Sequence, residues 1–264
     1  MRRFTHRFTR RTSYMEVNVK ADVKALTKEL NRIQKKQIPF ATANAINDTA
    51  VDVRTALYHK MNAVFHKPTS FTVPRNIEKA TNKKGSLYMM PAKKDRLSAK
   101  IFVKDGSTLG APAIRWIEPQ VKGGARHFKG SERALRGKGV IGGNKFITPS
   151  TKSAHGSVSL NKFGNVTKGM MTKILSGVSA GFFAGTSSRQ STSYFAMRKK
   201  GGGVGSETGI WQRKGRRLKK LFNVTDTPSY KPRLPFDAVG RKAIAKNFEP
   251  NFERQMKHAL RTAR

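Results

Sequence analysis

"PFATANAINDTAVDVRTALYHKMNAVF", residues 39–65, decides the fold. Proline fixes its own φ near the helical value and has no amide hydrogen to lose, so Pro39 suits the first turn of a helix. Neither Gly nor Pro interrupts the 26 residues that follow it. Ile46, Ala50, Val53, Leu57, Met61 and Val64 recur at steps of three and four, which puts them in one stripe along a helix and leaves the polar residues on the other faces. The spacing predicts a long amphipathic helix with one buried side.

Reading toward the N-terminus, "ADVKALTKELNRIQKKQ" (21–37) places Val23, Leu26, Leu30 and Ile33 at the same period, with Asp22 near the start where a negative charge suits the helix dipole. This predicts a shorter amphipathic helix that ends at Ile38 and Pro39. Reading toward the C-terminus, "HKPTSFTVPRN" (66–76) stops the long helix with Pro68 and Pro74, and a short basic helix or loop runs on to Lys84. The period then changes to two. In "SAKIFVKD" (98–105), Ala99, Ile101 and Val103 alternate with Lys100, Phe102 and Lys104; "SLYMMPA" (86–92) precedes it across the polar "KKDRL". A β-hairpin follows from that alternation.

Residues 106–208 are rich in Gly, Ser and Lys, and their apolar clusters ("AIRWI", "KFITP", "MMTKIL", "SYFAM") sustain neither period. Between Arg133 and Ser206 there are twelve Lys and Arg and no Asp or Glu, so this stretch has no ion pairs of its own and must face solvent, a polyanion or acidic neighbours. After "GGGVGSETG" a second hairpin is expected, with "GIWQR" and "LKKLFNV" flanking Lys214-Gly215-Arg216. "TDTPSYKPRLPF" then runs extended through Pro228, Pro232 and Pro235. The last 29 residues carry Ile244, Phe248, Phe252, Met256 and Leu260 at four-residue steps, with Pro250 expected to kink or restart the helix.

The fold class read from these patterns is α+β: two N-terminal helices, short antiparallel β-hairpins, a long Gly/Ser/Lys-rich insertion and a C-terminal helix. Residues 1–20 form a basic arm, and 21–105 the helices and hairpin of a core domain. Residues 106–208 are a basic insertion with short elements. The hairpin, extended segment and helix of 209–264 complete the core domain.

Fifty-four Lys and Arg against 15 Asp and Glu give the 264-residue chain a formal charge of +39. A fold this charged repels itself unless something acidic or a tight assembly lies beside it, which points to a polyanion or a partner. The absence of cysteine excludes disulfides, thiol nucleophiles and thiolate metal sites. The basic N-terminus has no apolar region behind it, and "ILSGVSAGFFAG" (174–185) is too short and Gly-rich to span a bilayer, so neither Sec export nor a membrane span is expected.

Catalytic patterns are scarce. The histidines His6, His59, His66, His127, His155 and His258 never fall in HxH or HExxH spacing, and no phosphate-binding glycine loop occurs. Asp48 and Asp52 stand one helical turn apart, a spacing that fits helix solvation or contact with Arg54 and neighbouring basic surface better than paired acid–base work. The chain is expected to be no enzyme and to hold neither cofactor nor metal.

Six cations lie within eight positions of the second hairpin: Arg213, Lys214, Arg216, Arg217, Lys219 and Lys220. They are the candidate contacts to DNA phosphates or to an acidic partner. Stacking by Trp211 or Phe222 on bases needs exposed rings, whereas rings that flank a hairpin enter the core, and core is the expectation for Trp211. The arm "RRFTHRFTRR" reads equally as a polyanion-binding tail or as a segment threading over a neighbouring subunit.

The opening "LTKELNRIQKKQIPFATANAINDTAVDVRTAL" resembles the start of the phage minor tail protein Z and tail-completion family. The ending "GIWQRKGRRLKKLFNVTDTPSYKPRLPFDAVGRKAIAKNFEPNFERQMKHAL" is similar to that family's close, and "RWIEPQVKGGARHFKGSERALRGKGV" with "KFGNVTKGMMTKIL" resembles related phage and prophage virion proteins. The two ends cover about a third of the chain, in patterns of helix and turn. The resemblance implies a non-enzymatic virion component in the tail or neck, assembled in the host cytoplasm, that forms a ring near the head-proximal end. Its partners would be other copies of itself, neighbouring tail, neck or portal-associated proteins, and packaged DNA without sequence readout. The alternative is a non-specific nucleic-acid-binding protein that neutralises phosphates through basic arms.

Overall fold

A computed structural model of the protein describes residues 16–20, 37–106, 112–151, 158–181, 192–197 and 209–262. The helix expected before Gln37 and the arm before Glu16 lie outside the described residues. In chain order the elements are β1 (Glu16–Lys20), α1 (Gln37–Val64), β2 (Leu87–Met90), β3 (Ser98–Val103), α2 (Ile114–Lys122), β4 (Gly124–Ala125), α3 (Gly130–Gly137), β5 (Phe146–Pro149), α4 (Lys168–Gly181), β6 (Thr192–Met197), β7 (Gly209–Lys214), β8 (Arg217–Thr225), β9 (Ser229–Tyr230) and α5 (Phe236–Thr262). The fold is mixed α+β, with antiparallel sheets set among helices.

The stripe of α1 builds the first core. Ile46, Ala50, Val53, Leu57 and Met61 are fully buried, and each large side chain among them contributes roughly 1.5–3 kcal/mol of transfer free energy. Against this stripe lie β2 and β3 as the expected hairpin, paired from Leu87–Val103 to Met90–Lys100, with Ala99, Ile101 and Val103 buried in alternation. Strand β1 adds to the other side of β3, with Glu16 opposite Phe102 and Lys20 opposite Ser98. The last five residues of the segment read as a basic arm are therefore a sheet strand. "EVNVK" alternates in period two with β-branched valines, a strand signal overshadowed by the arginines upstream.

Helix α5 closes this core, contributing Phe236 and Ala243. It continues through Pro250 as one helix, with no restart there. Asp48 and Asp52 hold it against α1. Asp48 Oδ2 accepts from Arg254 at 3.0 Å and from Gln255 at 2.6 Å, while Asn251 Nδ2 donates to Asp52 at 2.8 Å and to Thr49 Oγ1 at 3.1 Å. The two aspartates thus hold α5 on α1; Asp48 meets a basic side chain as expected, and that side chain is Arg254, not Arg54. The expected stripe of α5 holds only in part. Ile244 and Phe248 are half-buried and Phe252 is buried, but Leu260 is 45% exposed. A four-residue step overshoots a turn of 3.6 residues by about 40°, so a stripe built from four such steps wraps away from the core.

The expected division of the chain differs at the second hairpin. β7 and β8 form the middle of a four-stranded sheet, β5-β8-β7-β6, whose outer strands come from the insertion. Their apolar residues Ile210, Leu221 and Phe222 share a cluster with Leu135, Ile147, Ile174 and Val178, whereas α5 packs in the first core. The hairpin therefore completes the insertion's core. Gly177 allows α4 to approach β6: a Cβ there would lie 2.5 Å from Tyr194 Cδ2. The Pro-rich segment that returns to α5 is fixed on α2, where the Gln120 carbonyl accepts the amides of Arg233 and Leu234 at 2.7 and 2.8 Å and Gln120 Oε1 accepts the Arg233 guanidinium at 2.7 and 3.1 Å.

Candidate functional site

The basic hairpin turns at Gly215-Arg216, with Lys214 paired to Arg217. Gly215 has φ +58, and Arg216 is not in the positive-φ region, which is the type II′ geometry that matches strand twist in two-residue hairpins. Going down the ladder, Arg213 faces Leu218, Gln212 faces Lys219 and Trp211 faces Lys220. Residues directly opposite in an antiparallel pair share a face of the sheet. A bulge between Ile210 and Trp211 then skips Leu221, so that Leu221 and Phe222 both reach the second core.

Two faces result. On the α4 face, Tyr194 lies against Gly177 and its hydroxyl accepts from Gln212 Nε2 at 3.4 Å, which places Lys219 on that side. On the opposite face cations and rings alternate. Lys220 Nζ lies 5.7 Å from the Trp211 ring centre, and the Arg213 guanidinium 5.7 Å from that of Phe195. Trp211 is fully buried and Phe222 is 2% exposed, so both rings are core as expected and neither is available for stacking on bases.

The six candidate contacts do not act alike. Arg213, Lys214, Arg216 and Arg217 are exposed and Lys219 is half-buried, so five cations sit at or near the tip. Lys220 is the exception: it is only 5% exposed and packs against Trp211, because regular alternation from the turn puts it opposite that ring at the base of the ladder. Among the described residues, none of the five tip cations forms an ion pair with a carboxylate. Their charge is presented outward from a sheet anchored in its own core.

The opposite use of charge occurs at Glu132, a residue that no motif or periodicity singles out. Its fully buried carboxylate receives Arg126 at 2.5 and 2.8 Å, the amide of Lys129 at 2.7 Å and that of Ile147 at 3.1 Å. Burial alone pushes this carboxyl up, but the hydrogen bonds from Arg126 and the two amides, with the charge of Arg126, outweigh it and hold Glu132 below the usual carboxylate range. The pair ties α3 to β5. The Arg126 guanidinium also stacks 4.7 Å from the Phe146 ring centre, and Arg136 lies 3.2 Å from that of Phe128. One signal was present in the sequence: Glu132 is the one acid between Glu118 and Glu207.

A second internal cation is Arg54, 5% exposed, which donates to the Ala80 carbonyl at 2.6 Å and to Asn82 Oδ1 at 3.2 Å. Burial lowers its affinity for its proton, and burial with the nearby Arg54 charge lowers that of Lys104, whose ammonium donates to the Gly85 carbonyl at 2.7 Å. These groups brace the first core. His59 pairs on the surface with Glu78 at 3.0 Å. Among the described residues no group of three or more His, Asp or Glu could hold a metal ion, and no helix is long and apolar enough to cross a membrane. No protein-family model, curated protein or solved structure matches this chain.

Proposed function

We propose that the chain is a structural subunit of a bacteriophage tail or neck, copies of which form a ring that joins or completes the tail near its head-proximal end. The observation that supports this most is the cationic hairpin tip, Arg213 to Lys219, borne on a rigid sheet with no carboxylate partner among the described residues. A ring subunit needs a rigid body and charged surfaces that match a neighbour or DNA in a channel. The α1–α5 scaffold, with its core of Leu57, Ile101 and Phe236, supplies the first, and the tip supplies the second. The resemblance of both chain ends to tail-completion proteins points the same way. On this reading the protein is not an enzyme, and it is assembled in the host cytoplasm. Particles purified from cells with and without the gene test it: the protein should travel with intact virions, and tails should fail to join or finish in its absence.

The second reading is non-specific binding of nucleic acid, and the same outward cations favour it. Replacing Arg213, Lys214, Arg216, Arg217 and Lys219 together with glutamine, while leaving the buried Lys220, is expected to weaken duplex DNA binding. The slope of log K against log salt should become shallower by about 0.9 for each phosphate that is no longer neutralised. Fluorescence anisotropy over a salt series measures it. An unchanged slope excludes phosphate binding by the tip and leaves an acidic protein neighbour as its partner.

A further inference from the structure

A cavity of about 530 Å³ opens between the loop that follows α1 and the turn that precedes α4. Its lining brings together three cations, Lys67, Arg75 and Lys162, two uncharged hydrogen-bonding side chains, Asn62 and Ser70, and the ring of Phe163, with no carboxylate among them. The site is a groove open to solvent, with Asn62, Lys67, Ser70, Arg75 and Lys162 exposed along it. Three exposed cations line one site with no acid among the lining residues, a setting that favours an anion.

Both walls are held by their own hydrogen bonds. In the first, the Val73 amide donates to the Thr69 carbonyl at 2.9 Å and Ser86 Oγ to the Thr72 carbonyl at 2.6 Å, while Val73 and Pro74 are buried beneath the cavity. In the second, Asn161 Oδ1 accepts the amides of Phe163 and Asn165 at 3.0 and 3.1 Å, and Gly164, at φ +75, completes the turn. Lys162 Nζ lies over the ring of the half-buried Phe163, 5.2 Å from its centre, which brings a cation and an aromatic side chain together. Lys67 stands at φ +47, the only described non-glycine residue in the left-handed region, and it precedes Pro68. Glycine would take that backbone at less cost, which marks the lysine side chain as the reason for the position.

We infer that this cavity binds a nucleotide unit, its phosphate on Lys67, Arg75 and Lys162 and its base against Phe163. A carboxylate of a partner would satisfy one charge and leave the aromatic wall unused. A nucleotide matches both the charge and the apolar surface, since phosphate suits Lys and Arg donors and a base stacks on a phenyl ring. The unit comes either as a free nucleotide or as one residue of a strand. The site is separate from the hairpin tip and does not rest on the ring reading.

Calorimetric titration of the full chain at low salt with dAMP, adenosine, inorganic phosphate and a ten-residue oligo(dT) tests the inference. The variants are Arg75→Glu with Lys162→Glu, and Phe163→Ala; Arg75 and Lys162 are exposed, so an unchanged melting temperature confirms that the double variant folds. Saturable dAMP binding is expected, weakened at least about tenfold by the double reversal and about fivefold by Phe163→Ala, with adenosine weaker than dAMP. Displacement of dAMP by the oligonucleotide assigns the strand as the source, and its failure to displace assigns the free nucleotide. If dAMP does not saturate, a tenfold loss of oligonucleotide affinity in the double variant still supports the site. Affinities for dAMP and the oligonucleotide that the double reversal leaves unchanged overturn the inference, and so does inorganic phosphate binding as tightly as dAMP.

Discussion

Glu132→Ala is expected to cost about 3–5 kcal/mol of folding stability, because it strips the partner from a guanidinium only 12% exposed and leaves two backbone amides without an acceptor. The carboxylate is fully buried, Arg126 donates to it twice, and the amides of Lys129 and Ile147 complete its shell. The loss should appear in chemical denaturation followed by tryptophan emission, since the buried Trp211 lies on β7 in the same sheet as β5. A pH dependence accompanies it. Glu132 is held below its ordinary range when folded, so the unfolded chain binds the proton more readily. Its contribution is therefore fully present above the unfolded carboxylate pKa of about 4.3, and is lost as pH falls through the lower folded value. Glu132→Gln should remove that share of the acid sensitivity while keeping the side chain's shape. A wild-type stability that is flat through the acid range, or a Glu132→Ala protein as stable as wild type, would contradict a stabilising role for this pair.

Trp211→Ala is expected to cost about as much, roughly 3–5 kcal/mol, for a different reason. The ring is fully buried beside Phe195 across the ladder, and Lys220 lays its chain over it, so truncation opens a large cavity under an ammonium group. Arg216→Gln, five residues away at the exposed tip, should change stability by no more than about 0.5 kcal/mol. Thermal melts of the two variants measure this contrast. Salt-dependent DNA binding should reverse it, with Arg216→Gln reducing the slope and Trp211→Ala, compared at a temperature where it is folded, leaving the slope in place. Two variants that melt alike would mean that Trp211 is not the anchor of the hairpin.

Local patterns in the sequence carried the elements they govern. The stripe of α1 and the alternation of Ala99, Ile101 and Val103 are set by neighbours a few positions apart, and both appear in the structure with the expected faces buried, apart from the half-buried Val64 at the end of α1. What the patterns could not carry was the choice of partner. β7 and β8 are flanked by β5 and β6 from the insertion, across separations that no local period records, so the hairpin joined a different core from the terminal helix. Leu260 was misplaced because constant four-residue steps drift around a helix. Lys220 differs from the other cations because its cross-strand partner is the buried Trp211, a pairing that a run of cations in sequence does not reveal.

The candidate site was legible as a cluster of charge and not as a geometry. Composition marked Arg213 to Lys220 as six equal cations, whereas the ladder divides them into exposed tip residues, the half-buried Lys219 on the α4 face and a lysine packed on tryptophan. Glu132 shows the converse. A single acid in a basic stretch carries no periodicity, and only the approach of Arg126 and β5 reveals that it ties α3 to the sheet.

Electron cryomicroscopy of particles assembled from the locus that encodes this chain tests the proposed function most directly. The α1–α5 scaffold should fit density repeated around the axis of the tail or neck near its head-proximal end, with the Arg213–Lys219 tips turned toward DNA in the channel or toward acidic residues of an adjoining protein. Particles whose complete tail and neck density contains no copy of this fold would contradict it.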